Sequence, residues 1–129
     1  MDELRSLDRM LRLERGVGAT AVRNLPQTLA VFETHFPRFP VLPGVLLLSS
    51  LADLGCLLLR EETGTDWRLA SLGQARFRRY ARPGDQLEIA VDHVPDQGGD
   101  ATLSGSIRVD GHLIAGVRRL RFAQAGTAP

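Results

Sequence analysis

The 129-residue sequence contains no lysine, so all 16 of its positively charged side chains are arginines. Arginine suits short-range pairing with phosphates and carboxylates better than lysine does. The 15 aspartates and glutamates reduce the formal net charge to +1, so no overall field favours nucleic acid or a membrane as partner. An aromatic content of 5% argues further against nucleic-acid binding.

Cysteine is also scarce, and the single Cys56 excludes an internal disulfide and a cysteine-rich metal site. The first 16 residues are charged throughout and contain no apolar stretch of the kind found in a signal peptide. The longest apolar run, residues 45–48, is far too short to span a bilayer. We therefore expect a cytoplasmic protein in which Cys56 belongs to the core.

A long buried helix is predicted from Gly44 to about residue 62. Pro43 suits a first helical position, where its missing N–H costs nothing. The segment is apolar on most faces, which is typical of a buried helix, and Gly64 is a suitable C-terminal cap. The preceding segment, 32–42, contains prolines and is predicted to be an extended loop.

Short strand-like segments surround this helix. Residues 4–13 fit either a short helix or a strand, whereas Asp110-Gly111 is a signal for a type I′ hairpin turn. We predict an α+β domain over residues 1–122, with one helix and an antiparallel meander, followed by a flexible tail over 123–129. The predicted strands are 19–25, 67–72, 74–80, 86–94, 101–109 and 112–122.

Three blocks of the sequence carry a family resemblance. HFPRFPVLPGV at 35–45 resembles the H-F-P-G-x-P-hydrophobic-M-P-G-V motif of the 3-hydroxyacyl-[acyl carrier protein] dehydratases. ARFRR at 75–79 and RPGDQL at 82–87 are similar to that family's A-R-F-K-R and V-P-G-D-Q-L, and VDG at 109–111 is a weaker match. The resemblance implies the hotdog fold, in which a curved antiparallel sheet wraps one long helix. It also implies dimers with active sites between subunits, often stacked into hexamers, and it implies no cofactor.

The resemblance also assigns roles to individual residues. Dehydration requires a base for the C2 proton, an acid for the departing C3 hydroxyl, and donors for the thioester oxygen. His35 corresponds to the base, because imidazole titrates near neutral pH. Gly44 and Val45 would bind the thioester oxygen through free N–H groups at the helix start, and Phe36 and Pro43 would complete the substrate-binding set.

The family acid is absent at its expected place. Dehydratases carry a glutamate or aspartate five residues after the motif glycine, and this sequence has Ser49 there. Arg38 also replaces the glycine that follows H-F-P. Asp53 lies one helical turn beyond Ser49, and we hypothesise that it serves as the acid, directly or through water or Ser49. The alternatives are a hydrogen-bonded polar group at a dimer interface for Asp53 and a small packing residue for Ser49.

Clustered arginines offer a docking surface for a partner. Acyl carrier proteins are acidic and bear a phosphopantetheine phosphate, so Arg76, Arg78, Arg79 and Arg82 are predicted to dock the carrier. The alternative is that these alternating arginines form a solvated strand face. A second cluster, Arg118, Arg119 and Arg121, is a weaker candidate for the same contact, and His93 and His112 are interpreted as surface residues.

Three functions remain open at this level. The first is a dehydratase-like enzyme acting on 3-hydroxyacyl thioesters of acyl carrier protein in fatty-acid or polyketide biosynthesis. The second is a non-catalytic hotdog subunit that binds acyl chains or completes a heterodimeric dehydratase. The third is a hotdog thioesterase. A homodimer or a heterodimer is expected in each case, and no metal site is visible in the sequence.

Overall fold

The computed structural model describes residues 7–25, 44–94 and 101–125. Over these ranges the chain forms one helix and six strands. The elements are β1 (Arg9–Glu14), β2 (Gly18–Asn24), α1 (Gly44–Thr63), β3 (Trp67–Phe77), β4 (Gln86–His93), β5 (Ala101–Val109) and β6 (His112–Gln124).

The six strands form one antiparallel sheet in the order β1-β2-β4-β5-β6-β3. α1 packs against one side of this sheet, so the prediction of an α+β fold with one long helix is confirmed. β1 and β3 are the two edge strands. Among the described residues, no helix combines the length and the apolar character needed to cross a membrane.

Local sequence signals predicted the helix and one turn well. α1 begins at Gly44 and ends at Thr63, one residue beyond the predicted end. Gly64 has a positive φ of 80° and donates its N–H to the Arg60 carbonyl at 2.8 Å, as a helix cap does. Asp110 and Gly111 have φ values of 52° and 80°, the positive pair that a type I′ turn requires.

Of the two alternatives for residues 4–13, a short helix or a strand, the structure shows the strand Arg9–Glu14. Two other boundaries differ from the prediction. β3 is one strand where 67–72 and 74–80 were predicted separately, because its pairing with β6 keeps one register on both sides of Gln74, despite the positive φ of 59° at that residue. β6 extends to Gln124, which pairs with Trp67, so the predicted tail from 123 begins too early.

The core lies between α1 and the sheet. Leucines on the buried side of α1 contact apolar side chains of the central strands. Fully buried members include Leu47, Leu51, Leu54, Leu58, Ile89, Leu103, Ile107, Leu120 and Phe122.

Two glycines allow α1 to approach the sheet closely. A Cβ at Gly55 would lie 2.4 Å from Cζ of Phe122, so any side chain there would collide with the ring. A Cβ at Gly105 on β5 would lie 2.7 Å from Cδ2 of Leu51. The separation between helix and sheet is therefore set by direct contact of backbone with side chains.

A polar contact fastens the C-terminal end of α1. Glu62, whose side chain is 14% exposed, accepts hydrogen bonds from the Gly16 N–H at 2.7 Å and lies 2.8 Å from Nε2 of His93. The backbone N–H of His93 donates to the Val17 carbonyl at 2.9 Å. His93 is therefore half-buried and paired, which corrects its interpretation as a surface residue, whereas His112 is exposed.

Candidate functional site

The N-terminal end of α1 contains the described part of the predicted site. Gly44 and Val45 are its first two residues, and N–H groups in the first turn of a helix have no acceptor within the helix. These groups have the donor character predicted for thioester binding. His35, Phe36 and Pro43, which were predicted to complete the site, lie outside the described residues.

Three polar residues follow within the next turns of α1. Ser49 is exposed, Ser50 is fully buried and Asp53 is half-buried. Ser49 and Asp53 are four residues apart and therefore neighbours on the helix surface. The exposure of Ser49 argues against its alternative interpretation as a packing residue within this chain.

Arg23 is a functional candidate that the sequence analysis missed. It lies on β2, and its Nη1 donates a hydrogen bond to Oγ of Ser50 at 2.9 Å. Burial lowers the pKa of its guanidinium, while attraction to Asp8 and then to Asp53 opposes that change. In the sequence, Arg23 is marked only as the single charged residue of the strand GATAVRN. The sequence does not show that this strand faces Ser50 across the core.

Arg23 and Asp53 attract each other electrostatically. Asp53 lies on α1, whose first turn supplies backbone donors. The arrangement provides a carboxylate, a guanidinium and two hydroxyls beside an apolar core, which suits proton transfer near an acyl chain.

Cys56 is not a nucleophile of this site. Its thiol donates to the Trp67 carbonyl at 3.1 Å, and the side chain packs against the core as predicted. Burial, with smaller contributions from Asp53 and Asp66, raises its pKa to about 11. The neutral thiol therefore predominates near pH 7. Within the described ranges, no three His, Cys, Asp or Glu side chains are grouped as a metal site would require.

The predicted arginine clusters are divided differently in the structure. Arg76 and Arg78 line one surface trough, while Arg79 and Arg82 line another cavity together with Asp85 and Asp110. Arg119 and Arg121 line a third, shallow depression. Arg108 and Arg118 join Arg76 and Arg78 instead, so sequence neighbours are separated and distant residues are brought together.

Comparison with known proteins agrees with this architecture. The sequence profile of the ApeI-like family, described as ApeI dehydratase, matches residues 14–115. The 3-hydroxyacyl-[acyl-carrier-protein] dehydratase FabZ of Geobacillus sp. (strain WCH70) is 33% identical over 111 residues, covering 84% of this chain and 77% of the relative. FabZ of Bacillus subtilis (strain 168) is 34% identical over 120 residues, covering 91% and 84%.

Solved structures show the same fold. The dehydratase heterocomplex ApeI:P from Xenorhabdus doucetiae superposes with a TM-score of 0.67 at 19% identity, covering 88% of this chain and 96% of the other. With one helix against a six-stranded antiparallel sheet, the predicted hotdog fold is confirmed. The chain belongs to the ApeI-like family of hotdog dehydratases.

Proposed function

We propose that this chain dehydrates 3-hydroxyacyl thioesters carried by acyl carrier protein, producing the enoyl thioester and water. FabZ relatives are named for that substrate. The observation that carries the proposal is a half-buried carboxylate, Asp53, on the helix that begins at Gly44. A dehydratase needs both parts, an oxyanion site and a proton donor.

The proposed reaction uses His35 as the base. It removes the C2 proton while the N–H groups of Gly44 and Val45 stabilise the charge that develops on the thioester oxygen. The C2–H electron pair forms the C2–C3 double bond, and the C3 hydroxyl leaves with a proton to become water. Phe36 and Pro43 are proposed to contact the substrate, as the family resemblance implies.

Helix geometry decides how Asp53 delivers its proton. At 1.5 Å per residue, Asp53 lies about 14 Å along the axis from Gly44, whereas Ser49 lies about 8 Å away. Helical side chains tilt toward the N-terminus, which shortens both distances without making them equal. A proton from Asp53 would therefore pass through water or the Ser49 hydroxyl rather than directly to the substrate.

Arg23 lies near this acid, and its guanidinium attracts Asp53. Because the proton of Asp53 must be relayed, we expect a slower reaction than a glutamate at position 49 would support. Arg23 also contacts Ser50, so it couples the position of β2 to the polar side of α1.

The proposal includes a hotdog dimer. β3 is an edge strand of 11 residues, and Leu72 and Phe77 on it are 40% and 47% exposed. An exposed edge with apolar side chains is a surface on which another strand pairs readily. The dimer is either a homodimer or a heterodimer with a related subunit, and stacking into a hexamer is a further possibility to be measured.

A second candidate is a non-catalytic subunit that completes a heterodimeric dehydratase or binds acyl chains. Ser49 at the position of the family acid favours it, and a dehydratase heterocomplex is among the similar structures. In that assembly the partner subunit would supply the carboxylate. A thioesterase is the third candidate, with Asp53 as its acid or base.

The test incubates the purified chain with a 3-hydroxyacyl-carrier substrate, alone and with a related hotdog subunit encoded nearby. Enoyl product from the chain alone supports the dehydratase. Product only with the partner supports the subunit, and release of free acid supports the thioesterase. Size-exclusion chromatography with light scattering gives the oligomeric state in each mixture.

Ser49→Glu sharpens the same test. Because Ser49 is exposed, a larger side chain fits without disturbing the core. A carboxylic acid there should raise the dehydration rate by about 100-fold or more, whereas the matched Ser49→Gln, which has the same size and no acid, should not. Equal rates for both variants would contradict the assignment of position 49 to the substrate cleft.

A further inference from the structure

The side of the sheet opposite α1 carries a surface trough of about 650 Å³ across β3, β5 and β6. Along β5, Leu103 and Ile107 are fully buried, and the intervening Gly105 approaches Leu51 of α1. Alternate residues of a strand point to opposite sides. Ser104 and Ser106, which line the trough, therefore point away from the helix.

Four arginines line this trough, and we call it the arginine trough. Their positions follow from strand register: Arg76 on β3 lies opposite Gly116 on β6, which lies opposite Ser106 on β5. On its own strand, or just beyond the strand end, each of the four lies two residues from another residue that lines the trough. Because residues two apart in a strand point to the same side, the four cations lie on one side of the sheet. They are Arg76, Arg78, Arg108 and Arg118.

The positive charge of the trough is carried by side chains that are open to solvent. All four arginines are exposed, and none forms an ion pair with a carboxylate in the parts of the chain that the structure describes. Glu88 lies opposite Arg108 in the β4–β5 register without such a contact. Because the net charge of the chain is only +1, this concentration is a local feature rather than a consequence of a basic protein.

Gly116 keeps the middle of the trough open. A Cβ built there would meet only the carbonyl oxygen of Gly105 at 3.9 Å, an ordinary contact, and no positive φ requires a glycine. Neither packing nor backbone conformation therefore explains why this strand position lacks a side chain. The empty space lies directly between Arg76 and Ser106.

We propose that the arginine trough binds a phosphate-bearing ligand. Guanidinium groups match phosphate oxygens with paired hydrogen bonds, and the two serine hydroxyls add neutral donors on the floor. The bound phosphate is either an inorganic ion or an ester group of an organic molecule. The site is on the other side of the sheet from α1, so the proposal does not depend on dehydratase activity.

The first experiment titrates the intact protein with pyrophosphate by calorimetry at low salt. We expect saturable binding that weakens as salt is added, because exposed charges are screened. The double variant Arg76→Gln/Arg118→Gln should weaken binding by about tenfold or more, since each charged hydrogen bond contributes appreciably. Arg79→Gln/Arg82→Gln removes the same charge from the neighbouring cavity and should leave binding within about twofold.

A second variant separates the shape of the site from its charge. Gly116→Val fills the open space without altering any charge and should abolish measurable pyrophosphate binding. Gly73→Val is the matched control, because a Cβ at Gly73 meets nothing within 4 Å and this residue lies on β3 outside the trough. Circular dichroism and thermal unfolding would show that both variants fold.

Adenosine diphosphate forms the other arm of the experiment. Equal affinity for pyrophosphate and the nucleotide supports recognition of phosphate alone, and tighter nucleotide binding supports an ester ligand. The proposal is overturned if neither binds, if Gly116→Val binds as well as the unchanged protein, or if the two double variants lose affinity equally.

Discussion

The two halves of α1 perform different tasks. The first half, 44–53, presents backbone donors, Ser49, Ser50 and Asp53, and Ser50 accepts a hydrogen bond from Arg23. The second half, 54–63, is fixed by Gly55 against Phe122 and by Glu62 against His93. One helix therefore carries reactive groups at one end and rigid attachments at the other, so changes in the first half should alter rate and changes in the second should alter stability.

Asp53→Asn gives the largest expected effect, and it falls on rate. Removing a positioned general acid typically costs about 100- to 10,000-fold, so the rate of enoyl formation should fall within that range. The midpoint of thermal unfolding should fall only modestly, because the amide keeps the size of the carboxylate and Arg23 keeps its attraction to Asp8. Asp66→Asn is the control, since Asp66 pairs with Arg60 at the far end of α1. An unchanged rate for Asp53→Asn would eliminate this residue as the acid.

Gly55→Val should give the largest loss of stability. With a Cβ position 2.4 Å from the Phe122 ring, the helix must shift, and overpacking of this kind typically costs up to about 3 kcal/mol of unfolding free energy. Denaturant titration measures the loss. Gly73→Val, in open space, should remain within about 0.5 kcal/mol of the unchanged protein. Similar stabilities for the two variants would refute the close contact.

Glu62→Gln should destabilise the protein by about 1 kcal/mol, because the carboxylate accepts from both Gly16 and His93. Denaturant unfolding at pH 7 measures this difference. Glu61→Gln is the control, since Glu61 is exposed and its ion pair with Arg15 is long at 4.0 Å and therefore weak. A fall in the dehydration rate of Glu62→Gln without a loss of unfolding free energy would contradict the assignment of separate tasks to the two halves.

Cys56 offers the mildest test, because it leaves the protein unchanged until a reagent is added. With its pKa raised to about 11, the thiolate is a minor form at pH 8 and increases as the pH approaches 11. Alkylation by iodoacetamide at pH 8 should be roughly two orders of magnitude slower than for free cysteine. The unfolded chain is the control and should react at the ordinary rate. Rapid alkylation of the folded protein would mean that the second half of α1 opens readily.

The sequence predicted those features that are encoded locally. Gly64 marked the end of α1 and Asp110-Gly111 marked a hairpin, because each conformation depends on one or two residues. The loop with His35 remains a prediction. Arg23 was missed because its contact with Ser50 joins residues far apart in the chain, and that contact depends on the packing of α1 against β2.

The arginine clusters show the same limit. Arg76, Arg78, Arg79 and Arg82 are close in sequence, yet the chain leaves β3 after Phe77 and Arg79 and Arg82 enter another cavity. Arg118 joins Arg76 because β6 pairs with β3 and places Gly116, two residues before Arg118, opposite Arg76. Strand order and bulges determine which side chains meet, and neither can be deduced from the spacing of arginines.

The strand order also affects how this chain folds during synthesis. β2 and β3 precede and follow α1 in the sequence, and they pair with β4 and β6. Each of these pairings can form only after the later strand has left the ribosome. Until then the leucine-rich helix has no complete sheet to cover it. Pairings between distant segments form slowly and leave apolar surface open to other chains. Chaperone protection of the nascent chain is therefore expected until β6 has emerged.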